Sequence, residues 1–132
     1  MVDYVSSEEA EILRIRAEEF LLNAERLCDE GFYDLCVFNL EQFCQLMLKY
    51  KLLIKTGAYP RTHSLVRLLR DLSMIHQEVS DLLTKEEQLI MLTKLEDAYI
   101  SARYFPRRYE PIEAKALLRF VKEVFKPVVE RV

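Results

Sequence analysis

Apolar residues along this chain recur at helical rather than alternating spacing, and one helix is apolar on most of its circumference. Projected at about 100° per residue, Asp34, Glu41, Gln42, Gln45 and Lys49 make a narrow polar arc. Leu35, Val37, Leu40, Phe43, Cys44, Leu46, Met47, Tyr50, Leu53 and Ile54 cover most of the rest. A surface helix shows a single apolar stripe. This one is therefore expected to be covered from two or more sides, as the centre of a bundle or with one side against another subunit.

The neighbouring elements follow from caps and breaks. Ser6 with Glu9, or Ser7 alone, starts a first helix running to about Glu30, with Ile12, Ile15, Phe20, Leu22, Ala24 and Leu27 as its apolar stripe. Gly31 then turns the chain into the central helix. Gly57 ends that helix as a left-handed cap, Pro60 restricts Tyr59 to extended backbone, and Thr62 or Ser64 caps the next helix. This corner places Tyr59, Arg61 and His63 at a helix N-terminus.

A third helix is predicted from about His63 to His76, burying Leu65, Leu68, Leu69 and Leu72. His63, Arg67 and Arg70 share another face, and Arg67 and Arg70 are expected to be solvated. After a short helical turn at Ser80 to Leu83, Thr84 and Glu87 form a capping box for a fourth helix with Leu89, Ile90, Leu92, Leu95, Ala98, Tyr99 and Ala102 inward. That helix ends in AYISARYFPRRYEP at Pro106. Pro111 opens a fifth helix to about Arg131, which packs Ile112, Ala116, Leu117, Phe120, Val121, Val124, Phe125 and Val128 and is kinked or frayed by Pro127.

Composition sharpens this to one all-α domain over residues 1–132: 51% hydrophobic, 31% charged and only two glycines. Gly31 and Gly57 lie too far apart for a phosphate loop or a dinucleotide fingerprint. A net charge of -3 removes any general attraction to nucleic acid, so such binding needs a local basic patch. Cys28, Cys36 and Cys44 show no zinc spacing and are expected as small buried hydrophobes in a reducing compartment. No signal-peptide core or membrane-spanning run is visible, which predicts a cytoplasmic protein without cofactor or metal. The acids Glu41, Glu86, Glu87 and Glu96 read as ordinary exposed positions.

Candidate chemistry concentrates at two corners: Arg61 with His63, and Arg103, Tyr104, Arg107, Arg108 and Tyr109. Three arginines within six positions, interleaved with tyrosines, can grip phosphates bidentately and stack a base. The alternative is structural: Arg103 pairs with Glu96 or Asp97 or holds the carbonyls ending its helix, while Tyr99 and Tyr104 fill core. His63 is expected to stay neutral at a helix N-terminus and to donate or accept a hydrogen bond. Ser64 beside it has no evident orienting acid, so no nucleophile can be assigned.

The segments AEEFLLNAERLCDEGFYDLCVFNLEQFCQLMLKYKLL, PRTHSLVRLL and AYISARYFP, in that order, resemble the HEPN domain, a compact helical nucleotide-binding or RNase module. The resemblance covers nearly the whole chain. It implies an up-and-down antiparallel bundle of four main helices plus a short helix, pairing as a homodimer. It also implies a nucleotide or RNA ligand and a minimal nucleotidyltransferase as partner, in a toxin–antitoxin type of two-gene system. The positions it carries over are Arg61, His63, Arg103 and Tyr104, with Arg107 and Arg108 added on charge. Many members cleave RNA with an arginine followed after four to six residues by histidine. Here Arg103 is followed by Tyr104, Phe105, Pro106, Arg107, Arg108, Tyr109 and Glu110, so the histidine is missing. Arg70 and His76 have the spacing but sit in the wrong helix, about 240° apart. The expectation is a binding module without the RNase motif, the alternatives being a divergent metal-independent ribonuclease or a purely structural interaction bundle.

Overall fold

A computed structural model describes residues 4–104 and 108–132, excepting the side chains of 4–6, 102 and 103. The elements are α1 (Tyr4–Asp29), α2 (Tyr33–Thr56), α3 (Leu65–Ser73), a 3-10 turn (Gln77–Ser80), α4 (Asp81–Thr84), α5 (Glu86–Tyr104), α6 (Pro111–Phe120), a π turn (Val121–Phe125) and α7 (Lys126–Glu130). Among the described residues there is no strand. Among these residues no helix is long and apolar enough to cross a membrane.

Long-range contacts give the topology. Asp34, at the start of α2, meets Tyr109 just before α6, and Lys51, near the end of α2, meets Glu130 and Val132. The last helix therefore runs parallel to α2. Lys94 of α5 pairs with Glu113 at 3.6 Å, and Lys122 and Lys126 pair with Glu25 and Glu18 of α1 at 3.2 and 3.4 Å. The result is the expected up-and-down bundle of α1, α2, α5 and the α6–π–α7 unit, with α3, the 3-10 turn and α4 as a shorter cover.

Gly31 turns the chain at φ 84° while the Phe32 N–H donates to the Leu27 carbonyl at 2.8 Å, so α1 folds directly back along α2. The buried stripe of α1 is Ala10, Leu13, Ala17, Leu21, Ala24 and Cys28, spaced three and four residues apart. This corrects the expected stripe: Ile12, Ile15 and Leu22 are 47%, 44% and 61% exposed. Three alanines at seven-residue intervals let the backbones of α1 and α2 approach, and that approach rotates the larger aliphatics outward. The helix already includes Tyr4, so Ser6 and Ser7 lie inside it rather than capping it.

Cys36, Val37, Leu40, Phe43, Cys44 and Leu48 of α2 are all fully buried, as expected for a central helix. Its polar arc is not the solvent face. Glu41 is 0% and Gln45 5% exposed, whereas Leu35 and Ile54 are exposed, so the reading of Glu41 as a surface acid fails. Gln42 and Gln45 donate to Glu41 at 2.7 and 2.8 Å, and Lys49 donates to Gln45 at 2.9 Å. The ladder is tolerated inside because its polar atoms are satisfied.

Two further expectations change. The Thr84 hydroxyl donates to the Ser80 carbonyl at 3.2 Å, so Thr84 closes α4 rather than capping α5. At Pro127 the chain stays helical to Glu130 instead of fraying; a π turn precedes it, with the Lys126 N–H reaching back to the Val121 carbonyl. Proline lacks the N–H and crowds the carbonyl four residues earlier, and a wider turn absorbs both. Phe125 within that turn stays buried, edge-on to Phe43 at 6.2 Å, and Val129 beyond it is also buried.

Candidate functional site

Gly57 ends α2 at φ 86°, and its N–H caps the Leu53 carbonyl at 2.9 Å. Instead of leaving the bundle, the following link doubles back. The Tyr59 hydroxyl donates to Glu9 of α1 at 3.2 Å, and the Lys49 ammonium lies 5.5 Å over the Tyr59 ring. Burial and then the Glu9 carboxylate hold the Tyr59 hydroxyl above its ordinary pKa, with the nearby Arg61 guanidinium opposing them.

Of the two candidate caps, Ser64 starts α3: its hydroxyl oxygen accepts from the Arg67 N–H at 3.2 Å, while Thr62 supports it by accepting from the Ser64 N–H at 3.1 Å. The helix is shorter at both ends than expected, leaving His63 just outside it and His76 beyond it. Glu96 of α5 accepts from the Ser64 hydroxyl at 2.6 Å and from the Val66 N–H at 3.2 Å. Glu96 is therefore a half-buried anchor, not an ordinary exposed acid. It also supplies the carboxylate that Ser64 lacked in sequence. With that hydroxyl held between the Arg67 N–H and the Glu96 carboxylate as a helix cap, the pair is a clasp rather than a nucleophile and base. The positive end of α3 is already occupied by Glu96, so a ligand phosphate must find guanidinium groups instead.

The clasp sets His63 against α5. Its imidazole stacks on Tyr99 with centroids 3.9 Å apart and planes within 18°. The stack forms one wall of a cleft of about 770 Å³ lined also by Lys94, Asp97, Ile100 and Ser101. The volume falls within the usual small-ligand range. The walls carry both signs of charge, and Lys94 is paired with Glu113.

The second corner reaches the same half of α5. Tyr109 is buried, its hydroxyl 3.0 Å from the Ser101 hydroxyl, two residues beyond Tyr99. Its N–H donates to Asp34 at 2.7 Å, and the Arg108 guanidinium pairs with the other oxygen of Asp34 at 3.0 Å while remaining 89% exposed. Glu110 and Glu113 then form a capping box for α6. The two corners are thus joined through Tyr99 and Ser101.

The predicted residues divide accordingly. His63 lines the cleft; Arg61 is exposed on the link leading to it. Tyr104, 70% exposed, follows Ile100 and Ser101 by four and three residues and so extends the cleft-facing side of α5. Arg103 lies on α5, its side chain outside the description, and Arg107 lies outside the described residues altogether. Arg108 is held by Asp34. Sequence reasoning missed Glu96 and Asp34 as anchors, since both act on residues far along the chain and no local pattern marks them. Among the described residues no cluster of His, Cys, Asp and Glu could hold a metal ion.

Compared with known proteins, residues 10–132 match the family model described as the HEPN domain. Neither the curated proteins nor the solved structures gave a match.

Proposed function

The chain belongs to the HEPN domain family, and from that premise we propose that it binds a nucleotide, free or as a unit of RNA, without cleaving it. The observation that carries this reading is the stacked His63–Tyr99 pair on the wall of the cleft. An exposed aromatic face beside a cavity suits a base, and stacking of this kind contributes about 1–3 kcal/mol per base. Arg61 on the incoming link and Arg103 on α5 are assigned to the phosphate, with Tyr104, Arg107 and Arg108 as supporting ligand contacts. Absence of a histidine after Arg103 removes the proton-transfer group of the family's RNase motif. The exposed Ile12, Ile15 and Leu22 on one side of α1 support self-association as a homodimer, and a minimal nucleotidyltransferase is the proposed protein partner.

Calorimetry with adenine and guanine mononucleotides and a short single-stranded RNA tests the reading. The parent is expected to bind at least one of them. His63→Ala, and Arg61→Ala combined with Arg103→Ala, are expected to weaken binding at least about tenfold with the helical circular dichroism unchanged. A parent that binds none of these ligands overturns the proposal. RNA cut by the parent and spared by Arg103→Ala overturns its non-cleaving part.

A further inference from the structure

Independently of the cleft, we propose that Cys28 and Cys36 form an oxidation site that closes reversibly as a disulfide across the α1–α2 hairpin. The two cysteines stand four residues before and four after Phe32, at the fold of the hairpin. Both lie in the same buried cluster, at 5% and 0% exposure. The Phe32 N–H bonds back to the Leu27 carbonyl and the Cys36 N–H to the Phe32 carbonyl, so the turn is tight and sets the two cysteines on facing positions of the hairpin, close enough for Cys28 to act electrostatically on Cys36. Cys44 sits two helical turns further into α2, where burial and then the charge of Glu41 hold its thiol well above the ordinary pKa. The three thiols are therefore not equivalent.

Access and chemistry divide the roles. Glu30, Gly31 and Phe32 at the turn are exposed, and Cys28 belongs to the last turn of α1, which ends at Asp29. Helix ends open locally at low cost, so Cys28 is the sulfur a small oxidant reaches first. Burial, then the neighbouring Cys28, pushes the Cys36 thiol up to about 12, which keeps it protonated and unreactive until a partner is made electrophilic. With hydrogen peroxide, the Cys28 thiolate attacks the O–O bond and leaves hydroxide and Cys28 sulfenic acid. The sulfur of Cys36 then displaces the sulfenic oxygen as water, losing its own proton. In sum, two thiols and one peroxide give one disulfide and two waters. The bridge pins the start of α2 two residues from Asp34, the group that clasps Arg108 and the Tyr109 N–H.

The test uses the full chain, reduced, freed of reductant and treated with hydrogen peroxide. Thiols titrated in denaturant are expected to fall from three to one and to return on adding dithiothreitol. Cleavage after glutamate separates the cysteines onto residues 26–30, 31–41 and 42–78. Mass spectrometry without reduction is expected to find the first two joined, and the oxidised chain to melt higher than the reduced one. Cys44→Ala is expected to leave this outcome unchanged. Retention of all three thiols, a bridge that includes Cys44 or joins two chains, over-oxidation of Cys28 without a bridge, or a lowered melting temperature would each overturn the proposal.

Discussion

At the scale of single residues, charges that look like solvated surface are anchors. Glu96 satisfies two donors at the start of α3, so removing it orphans the Val66 N–H and the Ser64 hydroxyl together. Ser64→Ala and Glu96→Ala are each expected to destabilise the fold by about 1–2 kcal/mol. Because they share one hydrogen bond, the double variant should cost less than the sum, a non-additivity that urea denaturation resolves. Additive losses would show that Glu96 acts elsewhere. Lys51 is a second case, a mostly buried ammonium donating to the Val132 and Glu130 carbonyls at 2.9 and 3.3 Å. Burial, then repulsion from Lys55, holds its pKa below 10.5. Between the folded value and 10.5 the unfolded chain binds the extra proton, so stability from this group rises with pH across that window and the charged form is penalised below it. The parent should therefore gain on Lys51→Met as pH rises towards 10.5, measured by denaturant titration at several pH values. A difference that is flat or falls with pH would contradict the burial of that ammonium.

At the scale of elements, helix periods and stops were legible and helix orientation was not. Gly31, Gly57, Ser64 and Pro111 stand where their backbone chemistry placed them. Hydrophobic weight misassigned the α1 stripe because alanine adds little to such a weighting, yet Ala10, Ala17 and Ala24 decide how close the two backbones come. Glu41 was misread for the converse reason: periodicity records polarity, not the amide and ammonium partners that make burial tolerable. The stop at Gly57 gives the cleanest element-level measurement. A Cβ there would meet nothing within 4 Å, so substitution costs backbone conformation alone at φ +86°. Gly57→Ala is expected to lower stability by about 1 kcal/mol and Gly57→Asn by less, since asparagine tolerates the left-handed region. Equal losses for both, or none, would show that the link does not depend on this cap.

At the scale of the whole molecule, what the sequence conceals is which distant segments meet. The cleft exists because Ser64 finds Glu96 and Tyr109 finds both Asp34 and Ser101, pairings that no spacing along the chain encodes. The arginine and histidine candidates were visible as residue types; their sorting into a cleft wall at His63 and an Arg108 bound by Asp34 required the bundle. The proposed homodimer poses the same problem one level up. Ile12, Ile15 and Leu22 stand three and seven residues apart on the side of α1 turned away from the Ala10–Cys28 stripe, and each is more than two fifths exposed. A two-fold pair needs a self-complementary patch, and two antiparallel copies of this stripe supply one, Leu22 of each helix facing Ile12 and Ile15 of the other. Sedimentation equilibrium at micromolar concentration is expected to give a dimer for the parent. Ile15→Glu with Leu22→Glu should give a monomer whose circular dichroism is unchanged, since neither side chain is part of the core. A monomeric parent would remove the dimer from the proposed function, and a dimer that survives both substitutions would move the interface to another face of the bundle.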